Sequence, residues 1–354
     1  MKVVIAIDSF KGSISSLEAG EAAKQAVLAV YAEADVMVVP VADGGEGTVD
    51  TLVSGMHGQL IETEVTGPVK EKVTCKYGMI RDTAIIEMSG AAGLPITPVD
   101  QRNPLYTTTY GVGEIIIDAI EKGCRNFIVG IGGSATNDAG VGMLQALGFE
   151  FTDNKGKTVG LGGKYVADIA NIKTDHVYPK LKECQFKIAC DVDNPLCGER
   201  GASYIYGPQK GASESDVKFL DAALKNFAEV TMQKLGYDYS EHPGSGAAGG
   251  MGFAFKSYLN GELRPGIEII LDEIEIDHIL PGTDFVITGE GRIDSQSAMG
   301  KAPVGIAKRS KKYGAKVIGI GGCVSDDAYL CNDAGIDSIF SVIDRSMSLE
   351  EAMA

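Results

Sequence analysis

Short apolar runs rich in β-branched residues recur along the chain, and several end in a cluster of glycine or acidic residues. They show no polar–apolar alternation, which is typical of strands buried on both faces of a parallel sheet. The runs are Val3–Ile7, Val36–Val41, Phe127–Ile131, Phe285–Ile287 and Val317–Ile320. They predict a parallel sheet whose strands lead into polar loops.

Helical patterns lie between these runs. Ser15 and Glu18 have the spacing of a capping box, and the helix that it opens should run to about Tyr31. Three further helices are predicted, at residues 104–122, 138–147 and from 302 to a stop at Gly314. Strand–helix alternation of this kind predicts a doubly wound α/β domain.

Two blocks break the alternation and predict a second domain. Residues 60–88 alternate as three strands of an antiparallel meander, and residues 149–276 hold glycine-rich stretches, one strand and a long helix. We expect a first domain at 1–59, 98–148 and 277–354, with an inserted α/β domain at 60–97 and 149–276. The last residues, from Ser348, read as a helix start without an end signal, so we expect a C-terminal helix beyond them.

Composition narrows the class of protein. The 354 residues carry 32 Lys and Arg against 48 Asp and Glu, a formal net charge of −16. That balance argues against a nucleic-acid partner, whose phosphates it would repel. No apolar run is long enough for a membrane span or a signal peptide, and the seven scattered cysteines form no metal motif. We expect a cytoplasmic protein with reduced thiols.

The loop Gly132–Gly140 joins a buried strand to a predicted helix start. Its two leading glycines let a ligand approach the backbone, and the next helix start would point amides at an anion. Ser134, Thr136 and Asn137 could donate to phosphate oxygens, although a capped tight turn would use the same residues. Gly130–Ala135 also satisfies the dinucleotide fingerprint G-x-G-x-x-A, a weak signal for a dehydrogenase.

A second glycine loop occupies residues 243–252. Gly244, Ser245, Gly246 and Gly249 are small enough to admit phosphates or an adenine ring, so we predict a loop that closes on a nucleotide. No strand precedes it, and a flexible hinge is the alternative.

Charged residues that could serve catalysis follow other strand ends. Asp191 and Asp193 alternate to one face, which suits Mg²⁺, although an Asx turn before Pro195 would look alike. Arg292 presents a fork of donors for carboxylate or phosphate. Asp294 is suited to orient Mg²⁺ or to accept a proton, and a surface ion pair is the alternative.

Three further stretches complete a crevice expected at the carboxyl ends of parallel strands. Lys11 suits an anion clamp, Lys301 opposes a helix dipole and therefore calls for an anion, and Asp43 lies at a helix start. Together these groups suit phosphoryl transfer, which depends on positioning and charge neutralisation.

The motifs resemble the type I glycerate kinases of bacteria, in seven blocks that run in order through the chain. The matching blocks are Ile7–Gly12 (IDSFKG), Ala42–Thr48 (ADGGEGT), Gly132–Gly140 (GGSATNDAG), Cys190–Leu196 (CDVDNPL), Tyr206–Ala212 (YGPQKGA), Pro243–Gly250 (PGSGAAGG) and Thr288–Asp294 (TGEGRID). The resemblance implies ATP-dependent phosphorylation of D-glycerate, with the 2-phosphate favoured over the 3-phosphate. It also implies a flavodoxin-like domain with a restriction-enzyme-like insert.

Residue roles are our hypothesis within this resemblance. Lys11, Asp191, Arg292 and Asp294 are the predicted catalytic residues, and Asp191 and Asp294 would also bind Mg²⁺. The predicted substrate residues are Ser9, Lys11, Asp43 and Arg292, and the predicted ATP-binding residues are Gly132, Gly133, Ser134, Thr136, Asn137, Gly244, Ser245, Gly246, Gly249 and Lys301.

Two other functions stay open at this stage: a nicotinamide-dependent oxidoreductase of a small hydroxy acid, and a nucleotide sensor without catalysis. The expected partners are D-glycerate and ATP, with no nucleic acid and no membrane, and a homo-oligomer is left open.

Overall fold

The chain folds as a mixed α/β protein, and the computed structural model describes residues 1–343, 345 and 347–352. The strands in these residues are β1 (Lys2–Ile7), β2 (Asp35–Val38), β3 (Gln59–Thr66), β4 (Lys72–Ile80), β5 (Thr83–Glu87), β6 (Asn126–Gly130), β7 (Glu150–Thr152), β8 (Asn171–Lys173), β9 (Gln185–Ala189), β10 (Glu262–Arg264), β11 (Phe285–Ile293), β12 (Lys316–Val324) and β13 (Ser338–Ser341).

The helices connect these strands and cover their faces. They are α1 (Ser16–Val30), α2 (Thr48–Gly55), α3 (Ser89–Ala92), α4 (Tyr110–Glu121), α5 (Val141–Ala146), α6 (Ala202–Tyr206), α7 (Glu214–Leu235), α8 (Ala247–Leu259), α9 (Gly266–Glu273), α10 (Ile276–Ile279), α11 (Ser295–Ala298), α12 (Ala302–Lys311), α13 (Leu330–Asp333) and α14 (Leu349–Ala352). Short 3₁₀ turns occur at Val99–Gln101, Gly163–Asp168, Pro179–Glu183, Pro208–Lys210 and Asp326–Tyr329. No helix in the described part of the chain combines the length and apolarity needed to cross a bilayer.

The first of two compact units contains a five-stranded parallel sheet. It comprises Met1–Asp43, Asp50–Gly58 and Pro265–Ala354. The strands lie in the order β13-β12-β11-β1-β2, which is 2-1-3-4-5 when they are numbered within this unit. Every neighbouring pair is parallel. β1, an interior strand between β11 and β2, is buried along almost its whole length, which explains its unbroken apolar run.

The second unit contains a six-stranded mixed sheet. It comprises Gly44–Val49 and Gln59–Arg264, and its strands lie in the order β10-β9-β6-β5-β4-β3. β3, β4 and β5 form the predicted antiparallel meander, whereas β5, β6, β9 and β10 run parallel. Its core includes stacked rings of Phe127 and Phe186, whose centroids are 4.8 Å apart. This sheet carries two of the loops that the sequence analysis singled out.

The predicted domain boundaries differ from these units at three places. Gly44–Val49 and Gln59 were expected in the first domain, but they belong to the second unit. Residues 98–148 were expected in the first domain, but β6 pairs with β5 and β9 in the second unit's sheet. Residues 265–276 were expected in the insert, but they belong to the first unit. The reason is physical: a buried run specifies a strand, but its sheet is chosen by backbone partners far away in sequence.

Local signals predict helix starts well where a cap is present. Ser15 and Glu18 form the predicted capping box of α1, and Ser213 with Asp216 forms another at α7. The helix expected from Pro104 begins only at Tyr110, because the preceding threonines bond elsewhere: Thr107 Oγ1 donates to the carbonyl of Ala135 at 2.8 Å. Side-chain bonds to a distant loop thus replace the first two turns of that helix.

Candidate active site

A cavity of about 370 Å³ lies in the first unit, at the carboxyl ends of β1 and β11. The strand order reverses between these two strands, because β2 follows β1 on one side and β12 and β13 follow β11 on the other. Ligands of open α/β sheets bind at such a switch point, outside the carboxyl ends of the strands. The fold therefore offers this place for a small molecule before any side chain is considered.

Six charged side chains line the cavity, three acidic and three basic. They are Asp8, Asp43, Glu290, Lys11, Arg292 and Lys301. The bases are suited to hold an anion, and the acids are suited to hold a hydroxyl or take its proton. The cavity therefore has the groups that recognise a small hydroxy acid or a phosphate.

Asp8 is the acid most changed by its surroundings. It directly follows β1, is 5% exposed, and accepts a hydrogen bond from the Ser9 amide at 2.7 Å. Burial, with a smaller contribution from the nearby Asp43 carboxylate, raises its pKa to about 7. A carboxyl that exchanges its proton near neutral pH is suited to general base catalysis.

Glu290 lies within β11, where the sequence analysis expected a turn after Ile287. β11 continues to Ile293, so Glu290 is held in the sheet and is 8% exposed. It accepts a short hydrogen bond from Ser297 Oγ. Burial raises the pKa of its carboxyl, while the Ser297 hydroxyl acts in the opposite direction. A buried acid inside a strand is costly unless it serves a purpose, which marks it as a site residue.

The loop after β11 is organised by Asp294. Its Oδ1 accepts from the amide of Gln296 at 2.9 Å and caps α11, while its Oδ2 lies 3.3 Å from Arg292 Nε. Asp294 thereby orients the Arg292 guanidinium, whose side chain is 65% exposed. One oxygen of Asp294 therefore caps α11 and the other pairs with Arg292, while its binding of Mg²⁺ stays a prediction.

The predicted substrate residues of the first unit come together. Ser9, Lys11, Asp43 and Arg292 all line the one cavity, although they come from three different strand ends. Lys301, which was predicted to bind the nucleotide, lines the same cavity at the start of α12. The cavity is thus lined by Lys301 in addition to Lys11 and Arg292, the two cationic residues predicted to bind the substrate.

The loop after β6 lies in the second unit, and we call residues 131–140 the β6 loop. Gly132 and Gly133 are exposed, Gly133 has φ +69°, and no atom of a described residue lies within 4 Å of where a Cβ on Gly132 would be. The backbone at these glycines is therefore open to a ligand.

The predicted anion site at a helix start is wrong for this loop. α5 begins only at Val141, and the amides of Gly140 and Gly142 donate to the Asp138 carboxylate. Asp138 is buried and also accepts from the amide of Thr109 at 2.9 Å. Because the protein's own carboxylate takes these amides, the helix start has no donors left for an external anion. The dinucleotide fingerprint also requires a helix that opens directly after its glycines, and α5 begins too late for that.

The polar side chains of the β6 loop are directed into the second unit. Ser134 Oγ accepts from the buried amine of Lys210 at 2.8 Å, and Asn137 Nδ2 donates to Ser203 Oγ at 2.7 Å. Thr136 is fully buried. These contacts hold the loop from its inner side, so a phosphate would meet the backbone of the loop and not these three side chains.

The second glycine loop supports the β6 loop. The carbonyl of Gly249 accepts from the amide of Ala139 at 2.9 Å. Backbone packs closely against Gly246 and Gly249, and the side chains of Cys190 and Leu263 pack against Gly244. Ser245 is fully buried, and its hydroxyl donates to the carbonyl of Tyr239. The structure thus shows a packed support here, neither the predicted open nucleotide loop nor the alternative of a flexible hinge.

Replacing Gly249 with alanine is expected to destabilise the second unit strongly. An added Cβ would lie 2.1 Å from the carbonyl oxygen of Thr136, at a backbone φ of +67°. Gly236→Ala is the matched control, because its φ is +83° but nothing lies within 4 Å of its Cβ. We expect Gly249→Ala to cost about 1–3 kcal/mol more than this control in urea unfolding. Equal losses would show that the close packing does not matter.

The predicted metal ligands belong to different units, Asp191 to the second and Asp294 to the first. Asp191 is exposed after β9, and Asp193 forms an ion pair with Arg200 at 3.2 Å. In the described ranges, no group of three or more His, Cys, Asp or Glu side chains is arranged to hold a metal ion. Mg²⁺ commonly takes only one or two carboxylates and completes its shell with phosphates and water, so Asp191 fits such a partial site.

Sequence reasoning gave no role to three residues that the structure brings forward: Asp8, Glu290 and Lys210. Asp8 and Glu290 lie within the polar clusters at the ends of two predicted strands, but their burial depends on the neighbouring strands. A signal was available for Asp8, because it directly follows a buried strand and so lies where the carboxyl ends of parallel strands meet. Lys210 stood in one of the seven resembling blocks without any assigned chemistry.

The chain is similar to known proteins over its whole length. A family model described as the glycerate kinase family matches residues 3–354. A glycerate kinase of Bacillus subtilis (strain 168) is 47% identical, and a glycerate 2-kinase of Escherichia coli (strain K12) is 46% identical; each match covers 99% of this chain and 93% of the relative. A crystal structure described as glycerate kinase 2 from Salmonella typhimurium LT2 superposes with a TM-score of 0.92 at 43% identity, covering 100% of this chain and 93% of the other.

Proposed function

Since this chain belongs to the glycerate kinase family, we propose that it transfers the γ-phosphoryl group of ATP to a hydroxyl of D-glycerate and forms 2-phosphoglycerate. The first-unit cavity is the observation that assigns the proposed reaction to specific residues. There a carboxyl with a pKa of about 7 lies in one small space with three basic side chains. Phosphoryl transfer needs a positioned hydroxyl and compensation of phosphate charge, and these groups can supply both.

In this proposal Asp8 is the general base. Its carboxylate accepts the proton of the attacking glycerate hydroxyl, and Ser9 and Asp43 help to hold the glycerate hydroxyls. The glycerate carboxylate binds Lys11 or Arg292, and Arg292 is favoured because its guanidinium donates two parallel hydrogen bonds. Lys301 compensates charge on the transferred phosphoryl group, together with whichever of Lys11 and Arg292 does not bind the carboxylate.

The β6 loop is proposed to bind phosphates of ATP through its backbone at Gly132 and Gly133. Support comes from their exposure and from the open space in front of Gly132. Burial of Ser134, Thr136 and Asn137 assigns these side chains to shaping the loop.

Mg²⁺ is proposed to accompany ATP, with Asp191 as the protein ligand. When bound, the ion neutralises phosphate charge and orients the phosphates. Support for Asp191 is that it lies exposed just after β9, in the same unit as the β6 loop.

Replacing Asp191 with asparagine is expected to raise the Mg²⁺ concentration that gives half-maximal activity by about tenfold, because one anionic ligand is lost. Asp193→Asn is the matched control. It removes a carboxylate two residues away that is 76% exposed and pairs with Arg200, so its effect should be small. Equal Mg²⁺ dependence of the two variants would contradict the assignment.

We also propose that the first unit is flavodoxin-like and that the second is a restriction-enzyme-like insert. Support for the first part is the 2-1-3-4-5 strand order of its parallel sheet, which is the flavodoxin order. Support for the second part is that residues 59–264 form a mixed sheet of their own between two stretches of the first unit.

A coupled assay tests the function directly. Purified protein, ATP, Mg²⁺ and D-glycerate should produce ADP at a rate that falls to background when glycerate is omitted. Phosphorus NMR of the product should show 2-phosphoglycerate. ATP binding without turnover would favour the sensor, and glycerate-dependent reduction of a nicotinamide cofactor would favour the oxidoreductase; either result overturns the proposal.

A further inference from the structure

Lys210 is a lysine in the interior of the second unit to which the proposed chemistry assigns nothing so far. It ends the 3₁₀ turn Pro208–Lys210 and is 2% exposed. Its Nζ donates to Ser134 Oγ at 2.8 Å and to the carbonyl of Thr136 at 2.7 Å. Both acceptors belong to the β6 loop, so this one side chain ties two points of the loop together from beneath.

The backbone around Lys210 is fixed against the other side of the same loop. Gly211 has φ +94°, and a Cβ there would lie 2.1 Å from the carbonyl oxygen of Arg102. The Arg102 guanidinium donates to the carbonyl of Leu94 at 3.1 Å, and the amide of Leu94 donates to the carbonyl of Gly133 at 2.9 Å. The position of the buried amine relative to the exposed glycines is therefore set by a continuous chain of contacts.

The positive charge of Lys210 is not needed for its two hydrogen bonds. Its two acceptors are neutral oxygens, and a neutral donor could serve them. Burial lowers the pKa of the amine to about 7, against the opposing effect of the Asp138 carboxylate, which is the charged group that acts on it. Asp138 itself is occupied by Thr109 and the amides at the start of α5. Lys210 is thus the basic side chain that hydrogen-bonds the β6 loop directly.

We propose that Lys210 is a positioning residue for ATP: it holds the β6 loop in its phosphate-binding shape, and its positive charge beneath Ser134 strengthens the binding of phosphate at Gly132 and Gly133. The inference rests on the proposed function, since it assigns the β6 loop to the phosphates of ATP. The charge replaces the attraction that the start of α5, with its amides on Asp138, does not provide.

The test compares Lys210→Met with Lys256→Met. Lys256 is a partly buried lysine of the same unit whose amine lies 5.4 Å from the ring centre of Tyr239. We expect Lys210→Met to lower kcat/KM for ATP about 100-fold, because a displaced loop misplaces the phosphates. KM for glycerate should stay within about twofold, and Lys256→Met should match the wild type. Equal rises in both KM values would indicate a general structural role and overturn the proposal.

A pH profile separates charge from shape. In the free wild-type enzyme the charged amine is lost as pH rises through about 7, so kcat/KM for ATP should fall on the alkaline side. In Lys210→Met that alkaline fall should be absent. Persistence of the same fall in the folded variant would overturn the role of the charge.

Ser134→Ala keeps the proposal testable if Lys210→Met does not fold. It removes one acceptor of the buried amine and leaves the lysine in place. We expect KM for ATP to rise about tenfold, the value of a hydrogen bond to a charged group. Wild-type turnover of glycerate decides the proposed function separately. An active wild type with unchanged KM for ATP in the folded variants overturns only the role of Lys210.

Discussion

Asp8→Asn is expected to lower kcat by about 10²–10⁴-fold, the usual contribution of a general base. The amide keeps the shape of the side chain but cannot accept the hydroxyl proton of glycerate. Since burial raises the pKa of Asp8 to about 7, the wild-type rate should fall as pH drops below 7, where the carboxyl becomes protonated. The variant should lose this acid limb in a pH profile of kcat measured by ADP formation.

Stability serves as the control for Asp8→Asn. A buried carboxyl with a raised pKa favours folding less as pH rises toward 7, because the unfolded chain ionises this group at lower pH while the folded state still holds the proton. The asparagine variant should therefore melt no lower than the wild type at pH 8. Asp333→Asn, an exposed acid on α13 of the same unit, should leave both rate and melting unchanged. A folded Asp8→Asn enzyme with the wild-type rate would exclude Asp8 as the base.

Arg292→Ala is expected to reduce kcat/KM for glycerate about 10²–10³-fold, or ~2.7–4 kcal/mol of transition-state stabilisation. The guanidinium lines the cavity and is oriented by Asp294 Oδ2 at 3.3 Å. Arg292→Lys should recover only part of the loss, because an ammonium cannot make the parallel pair of hydrogen bonds. Steady-state kinetics with glycerate varied at saturating ATP measures the effect.

Lys308→Ala controls for a change of net charge in a chain whose formal charge is −16. Lys308 is exposed on α12, which begins next to Lys301 but does not place Lys308 on the cavity. We expect wild-type kinetics from it. If Lys308→Ala and Arg292→Ala weaken the use of glycerate alike, the effect of Arg292 is long-range electrostatics and the proposed clamp is wrong.

Much of the first unit could be predicted from the sequence, because its information is local. An apolar run without alternation specifies a buried parallel strand, and a cap specifies where a helix begins; β1 and α1 follow both rules. The carboxyl-end rule then placed Ser9, Lys11, Asp43 and Arg292 around one space, and the structure brings them to one cavity.

What escaped prediction depends on contacts between distant segments. The partners of β6 decide that its loop belongs to the second unit, and nothing within Phe127–Ile131 encodes that choice. The late start of α5 follows from Asp138, whose carboxylate reaches Thr109, 29 residues earlier. Burial of Glu290 follows from the continuation of β11 beside β12. In each case the local sequence allows two structures, and contacts with distant segments select between them.

The two glycine loops also differ in contacts that their composition does not predict. Both glycine loops have the composition of a nucleotide site, but it is in the β6 loop that Gly132 and Gly133 are exposed and Gly132 faces open space. In the second glycine loop, backbone packs closely against Gly246 and Gly249. Composition alone cannot separate room for a ligand from room for another part of the chain.

A crystal structure of the protein with D-glycerate would test the central claim most directly, which is that the first-unit cavity binds and activates the substrate. The account predicts density in that cavity, with the glycerate carboxylate on Arg292 or Lys11 and a hydroxyl about 2.6–3.2 Å from the Asp8 carboxylate. Glycerate bound elsewhere, with Asp8 out of reach of its hydroxyls, would contradict it.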